Sequence, residues 1–426
     1  PGIWIQMHQV VPGKVNVTGV VVPGQPFIIA GHNEKIAWGM TNLSVDDIDL
    51  FSEKVNPVND NQYYFNNKWS NMVVEQEIIK IKGEDSDTFN VKYTHRGPII
   101  SGFRNITDAT LSMRWSGYDF SDEIRSVYLL NRAGGWDDFR NALQYFKSIS
   151  QNFVYADIDG NIGLNTGGGI PVRKGSGVLI RNGENSESDW KGYVPFDQLP
   201  SIYNPDNRFV SSANNKTVDA DYPYYISADF AMPYRVNRIR QILSEKEIFS
   251  IDDFKRMITD QHSDYAALLT PYILKLNEKK ELLSDLEKQA LSFFPDWDYE
   301  MNADLVAPSV FEYFRISFAK NLLADELGEL YDQLYGVTRE YYIYRILTVG
   351  PDEWVDNINT VEKESLDDII LKSFKDCIAS LSSQHGVDLS LWEWGNIHKI
   401  RIDHPMGSVK IIAGLFGLNS KVYPVG

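Results

Sequence analysis

The period of hydrophobic and polar positions changes along this chain, and the changes divide it. Over residues 15–22 β-branched side chains crowd together until Pro23-Gly24 stops them, and residues 75–82 and 88–94 alternate polar with apolar. A period of two belongs to half-buried strands, and the Asn, Gly and Pro between these short runs predict antiparallel pairing through tight turns. From Ser121 the spacing shifts to three and four, which predicts amphipathic helices over residues 123–132 and 136–148. Strand character returns over 153–157 and 161–165, with Asp159-Gly160 between them as a hairpin turn. Residues 166–233 then read as a long loop crowded with Gly, Pro, Asn and Tyr, and its aromatics point to an ordered, functional segment.

Helical spacing resumes over residues 234–385. Ser250 is placed to cap a helix that begins at Ile251, and further helices are predicted over 281–294, 307–323 and 366–381. The tail from Leu391 is punctuated by Trp, Gly and Pro and reads as β again. The predicted class is α+β: a core over residues 1–233, a mostly helical insertion over 234–385, and a return to the core over 386–426.

Composition narrows the partners. A formal net charge of -17 argues against a nucleic-acid backbone and gives no help in adhering to anionic lipid. No apolar run approaches the length of a membrane-spanning helix, so neither nucleic acid nor membrane is expected as a partner. The opening Pro1-Gly2-Ile3-Trp4 lacks the basic start and apolar core of a signal peptide. Cys377 is the single cysteine, which rules out an intrachain disulfide and a Cys-based metal site; in a predicted helix it reads as a small buried hydrophobe. Ten Trp, 23 Tyr and 21 Phe suit rigid apolar surfaces and pockets.

The densest chemistry lies in residues 31–50. Gly39 to Asn42 close a strand-like run, and a turn there can aim backbone N–H groups at a developing oxyanion. Asp46, Asp47 and Asp49, with the Ile48 carbonyl among them, offer hard oxygens to Ca²⁺ or are simply a solvated acidic turn; no EF-hand pattern is present. The seven histidines form no zinc-binding pair, and His32 reads as a hydrogen-bonded turn residue. No Gly-x-Ser-x-Gly elbow occurs: Gly175-Ser176-Gly177 reads as flexible loop, and Gly167-Gly168-Gly169 as a tight bend. Asn214 ends another strand-like run, where an Asn either donates its side-chain N–H to an oxyanion or makes an ordinary turn. Arg235 is a substrate anchor or a scaffold ion-pairing residue.

Several segments acquire a joint meaning when taken in order. Pro23-Gly24 through Gly31-His32-Asn33, Ile36-Ala37-Trp38-Gly39-Met40-Thr41-Asn42, Asp46-Asp47-Ile48-Asp49-Leu50, His95-Arg96-Gly97-Pro98 and Arg114-Trp115 come first. Tyr155 to Gly163, Trp190 to Phe196, Ser212-Ala213-Asn214-Asn215, Pro233-Tyr234-Arg235, Trp394-Gly395 and His404-Pro405 follow. The series resembles the penicillin acylase (penicillin amidase) family of N-terminal-nucleophile hydrolases.

That resemblance implies a four-layer αββα sandwich made by autoproteolysis and an amidohydrolase that cleaves the bond between an acyl group and an amine. The nucleophile would be the hydroxyl of an N-terminal Ser, with its own α-amino group as base. It further implies that the Asn42 main chain and the Asn214 side chain are oxyanion donors, that Arg235 helps order the nucleophile's surroundings, and that Asp46, Asp49 and the Ile48 carbonyl hold a structural Ca²⁺. No equivalent of the family's other metal ligands stands in residues 174–182 or 222–229, and one of those ligands belongs to the other subunit.

No Ser-Asn-x-Trp opening is present, and Tyr423-Pro424-Val425-Gly426 falls where family members continue. The expectation is therefore a β-subunit fragment without its nucleophile, inactive alone. Its partners would be an α subunit, an N-terminal β segment and a small amide with an apolar acyl group. Export to the periplasm or beyond is expected by the same analogy. Two alternatives stand beside it: a non-catalytic binding module on the same fold, and an unrelated secreted structural or sugar-binding protein.

Overall fold

A seven-stranded antiparallel sheet organises the first part of the chain in this computed structural model. The structure describes residues 3–104, 109–333, 336–351, 353–402, 407, 409–417 and 421–425, so His404 and Pro405 lie outside the described residues. Strand order across the sheet is Ile5–Val11, Val15–Val21, Ala30–His32, Ile36–Asn42, Gln151–Asp157, Ile162–Gly167 and Ser201–Tyr203. The predicted hairpin at Asp159-Gly160 is present: Asp157 Oδ1 accepts the N–H groups of Asp159 and Asn161, and Gly160 takes φ +89°. The helices Glu123–Leu130 and Trp136–Leu143 cover one face of the sheet. They bury Leu130, Phe139, Ala142 and Leu143 against Val17, Val21, Ile36, Trp38, Phe153 and Tyr155.

A smaller sheet sets Ile48–Glu53 between Thr110–Trp115, antiparallel, and Arg181–Asn182, parallel. The alternating runs read at 75–82 and 88–94 form a separate hairpin, Val73–Ile79 with Asp87–Tyr93. The long stretch after Gly167 is ordered around its own small core of Leu43, Ile170, Val194, Leu199 and Ile226.

Residues 3–231 and 232–426 are two compact units. In the second, Ser250 caps Ile251–Ile258 through a reciprocal pair of hydrogen bonds with Asp253. The long helices Ala307–Leu327 and Leu366–His385 pack Phe311, Phe314, Phe318 and Leu322 into one core with Ile370, Phe374, Cys377 and Leu381. Cys377 is fully buried, and burial pushes its thiol well up, as suits a small hydrophobe.

The helix expected over 281–294 is interrupted. A 3₁₀ segment, Lys275–Leu282, stops before Ser284, which caps a fresh helix at Asp285–Leu291 with Glu287 as its reciprocal partner. The capping chemistry there outweighs the continuous apolar spacing. Residues 386–426, expected back in the first core, group with the helical unit. Trp392 is buried in that unit's core, and the Gly395 N–H donates to the Ala303 carbonyl at 2.7 Å.

Candidate active site

Asn42 is the last residue of its strand and lies opposite Gln151. The next residue, Leu43, donates its N–H to the Ser150 carbonyl at 3.1 Å. Antiparallel ladders alternate hydrogen-bonded and non-hydrogen-bonded pairs, so the N–H and C=O of Asn42 face away from the Gln151–Asp157 strand. On that outer side the pairing with Ala30–His32 ends at Trp38. The strand end therefore presents a backbone donor and acceptor beside each other.

Asn214 meets this edge. Its Nδ2 donates to the Asn42 carbonyl at 3.1 Å, and its own carbonyl accepts from the Ala231 N–H at 3.0 Å. The residue sits at φ +63°, a left-handed conformation that Asn tolerates better than most side chains. The structure thus brings together two of the residues singled out in the sequence, 172 positions apart. Arg235 belongs to the other unit, where it is exposed in the first turn of the helix Tyr234–Leu243.

A polar network beneath the pair went unread in the sequence. Thr41 and Ser212 share a hydroxyl–hydroxyl hydrogen bond of 2.6 Å, Asn152 Nδ2 donates to Ser212 Oγ at 3.3 Å, and Thr166 Oγ1 donates to Asn152 Oδ1 at 3.0 Å. Gln151 Nε2 donates to the Asn42 side-chain oxygen at 2.8 Å. Asn152, Asn165 and Thr166 are fully buried. Interior polar groups of this kind are kept only when partnered, and once partnered they fix geometry. The available signal was a pair of polar residues, Gln151-Asn152, opening an otherwise apolar strand.

The carboxylates after Asn42 separate. Asp47 is held by Ser116, whose Oγ donates to Oδ2 at 2.7 Å. Asp46 and Asp49 face one another across the Arg173 guanidinium, whose Nη1 lies 3.1 Å from Asp46 Oδ2 and 3.1 Å from Asp49 Oδ1. Arg173 Nη2 also donates to the Asp46 carbonyl. Tyr225 donates its hydroxyl to Asp46 Oδ2 at 3.0 Å, and the Trp190 indole N–H donates to Asp49 Oδ2. Ile48 is exposed at the start of its strand, opposite Trp115. Burial pushes the Asp49 carboxyl up, against the pull of Trp190, Arg173 and Arg181. The donor set expected to take Ca²⁺ therefore does not fit the ion in this arrangement, because a side-chain cation fills the position between the two carboxylates. Among the described residues no cluster of three or more His, Cys, Asp or Glu side chains is grouped to hold a metal.

Comparison with known proteins gives this geometry a family. The penicillin amidase family profile matches residues 1–426. The chain belongs to the penicillin amidase family. It is 25% identical over 415 residues to an acyl-homoserine lactone acylase, QuiP, of Pseudomonas syringae pv. syringae, covering 91% of this chain and 49% of that one. It is 27% identical over 329 residues to the penicillin acylase 2 proenzyme of Pseudomonas sp. strain SE83, covering 76% and 42%. Among solved structures, a thermostable penicillin G acylase from Alcaligenes faecalis superposes with a TM-score of 0.74 at 23% identity, over 92% of this chain and 75% of the other. That likeness concerns the fold. The chain spans about half the length of the curated relatives it matches.

In this penicillin amidase chain the segment His95-Arg96-Gly97-Pro98 is scaffold. Arg96 is almost wholly buried; it pairs with Glu53 at 2.9 Å and Asp189 at 2.6 Å, donates to the carbonyls of Gly183 and Asn185, and lies over the Phe51 ring. Burial pushes the Asp189 carboxyl up, but hydrogen bonds from His95 and Arg96 outweigh it and hold the group low. No helix among the described residues is long and apolar enough to cross a membrane.

Proposed function

We propose that Asn42 and Asn214 form the oxyanion hole of an amidohydrolase that splits an acyl group from an amine. The observation that carries this reading is the 3.1 Å hydrogen bond from Asn214 Nδ2 to the Asn42 carbonyl, at a strand end whose alternation turns the Asn42 N–H to the same side. In the proposed reaction a serine hydroxyl attacks the amide carbon while an α-amino group takes its proton. The carbonyl oxygen becomes an oxyanion held by the Asn42 main-chain N–H and the Asn214 amide. Collapse breaks the C–N bond, the amine leaves with that proton, and water hydrolyses the acyl-enzyme. A free α-amine titrates near pH 8, so an appreciable fraction can act as base at neutral pH.

The proposal places the nucleophile on an N-terminal Ser outside these 426 residues, in an autoproteolytically processed protein with an α subunit and the four-layer αββα core of N-terminal-nucleophile hydrolases. Export to the periplasm or beyond follows the same analogy. Arg235 is proposed to order the nucleophile's surroundings. The substrate class is an N-acyl amine with an apolar acyl group, as the names of the penicillin and acyl-homoserine lactone acylases suggest. Tyr222, Tyr224 and Phe230, packed on the small core beside Leu43 and Ile226, support the apolar preference.

The test is expression of the gene with its upstream sequence, mass spectrometry of the product and a panel of N-acyl amines. Two chains, one beginning with Ser, and release of amine from apolar acyl substrates are expected. A single unprocessed chain that folds and turns over no amide would favour a binding module instead.

A further inference from the structure

The family resemblance leads one to expect a divalent cation between Asp46 and Asp49, and the geometry there points elsewhere. We infer that the Arg173 guanidinium stands permanently in that position, so that this chain holds its Asp46–Asp49 corner together without Ca²⁺.

Four observations carry the inference. The guanidinium is planar and forked, and it reaches Asp46 Oδ2, Asp49 Oδ1 and the Asp46 carbonyl together, with only 1% of its side chain exposed. Ca²⁺ needs six to eight oxygens at about 2.3–2.6 Å, yet the other groups that meet these carboxylates are hydrogen-bond donors and a cation, Tyr225, Trp190 and Arg181. Charge is already balanced: Asp46 and Asp49 face Arg173 and, at 3.8 Å from Asp49, Arg181. Two guanidiniums supply the two positive charges a calcium would bring.

Gly177 closes the remaining side. A Cβ built there would fall well inside contact distance of Arg173 Nη1, Asp46 Oδ2 and Asp49 Oδ1, so bare backbone lies directly against the triad. Arg181 ties down the loop that carries it by donating to the carbonyls of Lys174 and Ser176 at 2.7 and 2.8 Å. The Gly175-Ser176-Gly177 segment, which reads as flexible in the sequence, is a lid fitted to an arginine.

The arrangement bears on the asparagine pair through the backbone. Asp46 follows Asn42 by four residues, and its N–H donates to the Ile226 carbonyl at 2.9 Å, within the loop whose Ala231 N–H holds the Asn214 carbonyl. Arg173 thus holds the first segment directly and the second through Asp46.

Thermal unfolding and terbium luminescence of the processed protein, with every subunit present, test this independently of any activity. Trp190 hydrogen-bonds Asp49 and would sensitise Tb³⁺ bound at the corner. For the unaltered chain the expected result is one Tm, the same in EDTA and in millimolar CaCl₂, with no sensitised emission that Ca²⁺ displaces. Arg173→Ala is expected to lower Tm by about 5–10 °C, because it leaves the buried Asp49 carboxylate facing the half-buried Asp46 carboxylate without their shared cation. It is also expected to gain a Tm that rises with Ca²⁺. Arg173→Lys keeps the charge, loses the fork and should fold with a smaller fall, which keeps the comparison intact if the alanine variant does not fold. A Tm of the unaltered chain that drops in EDTA, calcium-displaceable Tb³⁺ emission from it, or an unchanged Tm in Arg173→Ala would each overturn the inference.

Discussion

The interior of the helical unit and the interior beneath the asparagine pair solve different problems. Between Ala307–Leu327 and Leu366–His385 the contact is Phe on Leu and Ile, with polar partners such as Asn321 and Asp376 bonded at its edge. Beneath Asn42 and Asn214 the buried positions are Asn152, Asn165 and Thr166, each engaged in a side-chain hydrogen bond. Apolar packing is non-directional and yields stability in proportion to area removed from water. A hydrogen-bonded network yields little net stability but sets distances. The first interior holds a unit together, and the second fixes the two segments that carry Asn42 and Asn214.

Substitutions that break this contrast are expected to rank by mechanism. Phe314→Ala opens a cavity in a closely packed aromatic core and should cost about 3–5 kcal/mol in denaturant unfolding. A loss under about 1 kcal/mol would mean that this core is loosely packed. Asn152→Ala strands the buried Thr166 hydroxyl, leaves Ser212 only its Thr41 partner and should cost about 1–3 kcal/mol. In the whole enzyme it should also lower kcat while leaving KM nearly unchanged. A stability loss with no change in kcat would make the network merely structural.

The smallest effect concerns Glu326, whose carboxyl is pushed up to about 7 by burial and by the neighbouring Asp325. A folded state that grips its proton more tightly than the unfolded chain loses stability as pH rises from about 4.5 to about 7. Glu326→Gln should flatten that slope, matching the parent near pH 4 and exceeding it by about 1 kcal/mol at pH 8, a figure discounted for partial exposure. Parallel stability–pH curves would remove Glu326 from the account.

The two strand ends that meet were legible because their carriers are local, while the role given to them came from the family resemblance. Asn42 and Asn214 each end a β-branched or apolar run, and such ends can be read from periodicity. Ser250 and the Asp159-Gly160 turn were legible for the same reason, since caps and turns obey nearest-neighbour chemistry. What escaped was set by partners far along the chain. Arg173 lies 124 positions from Asp49, so nothing in the acidic run itself distinguishes a cation site from an arginine site. Likewise Gln151-Asn152 gains its meaning only when Thr41, Ser212 and Thr166 arrive from three other segments.

The central claim is that one asparagine acts through its main chain and the other through its side chain. Steady-state kinetics of the processed enzyme with Asn42→Ala and Asn214→Ala, on one apolar N-acyl amine, tests it most directly. The account predicts that Asn214→Ala lowers kcat by about 10²–10³-fold, the loss expected for one oxyanion donor, while Asn42→Ala lowers it by less than about tenfold because its N–H remains. Equal losses at both positions, or full activity without the Asn214 amide, would contradict it.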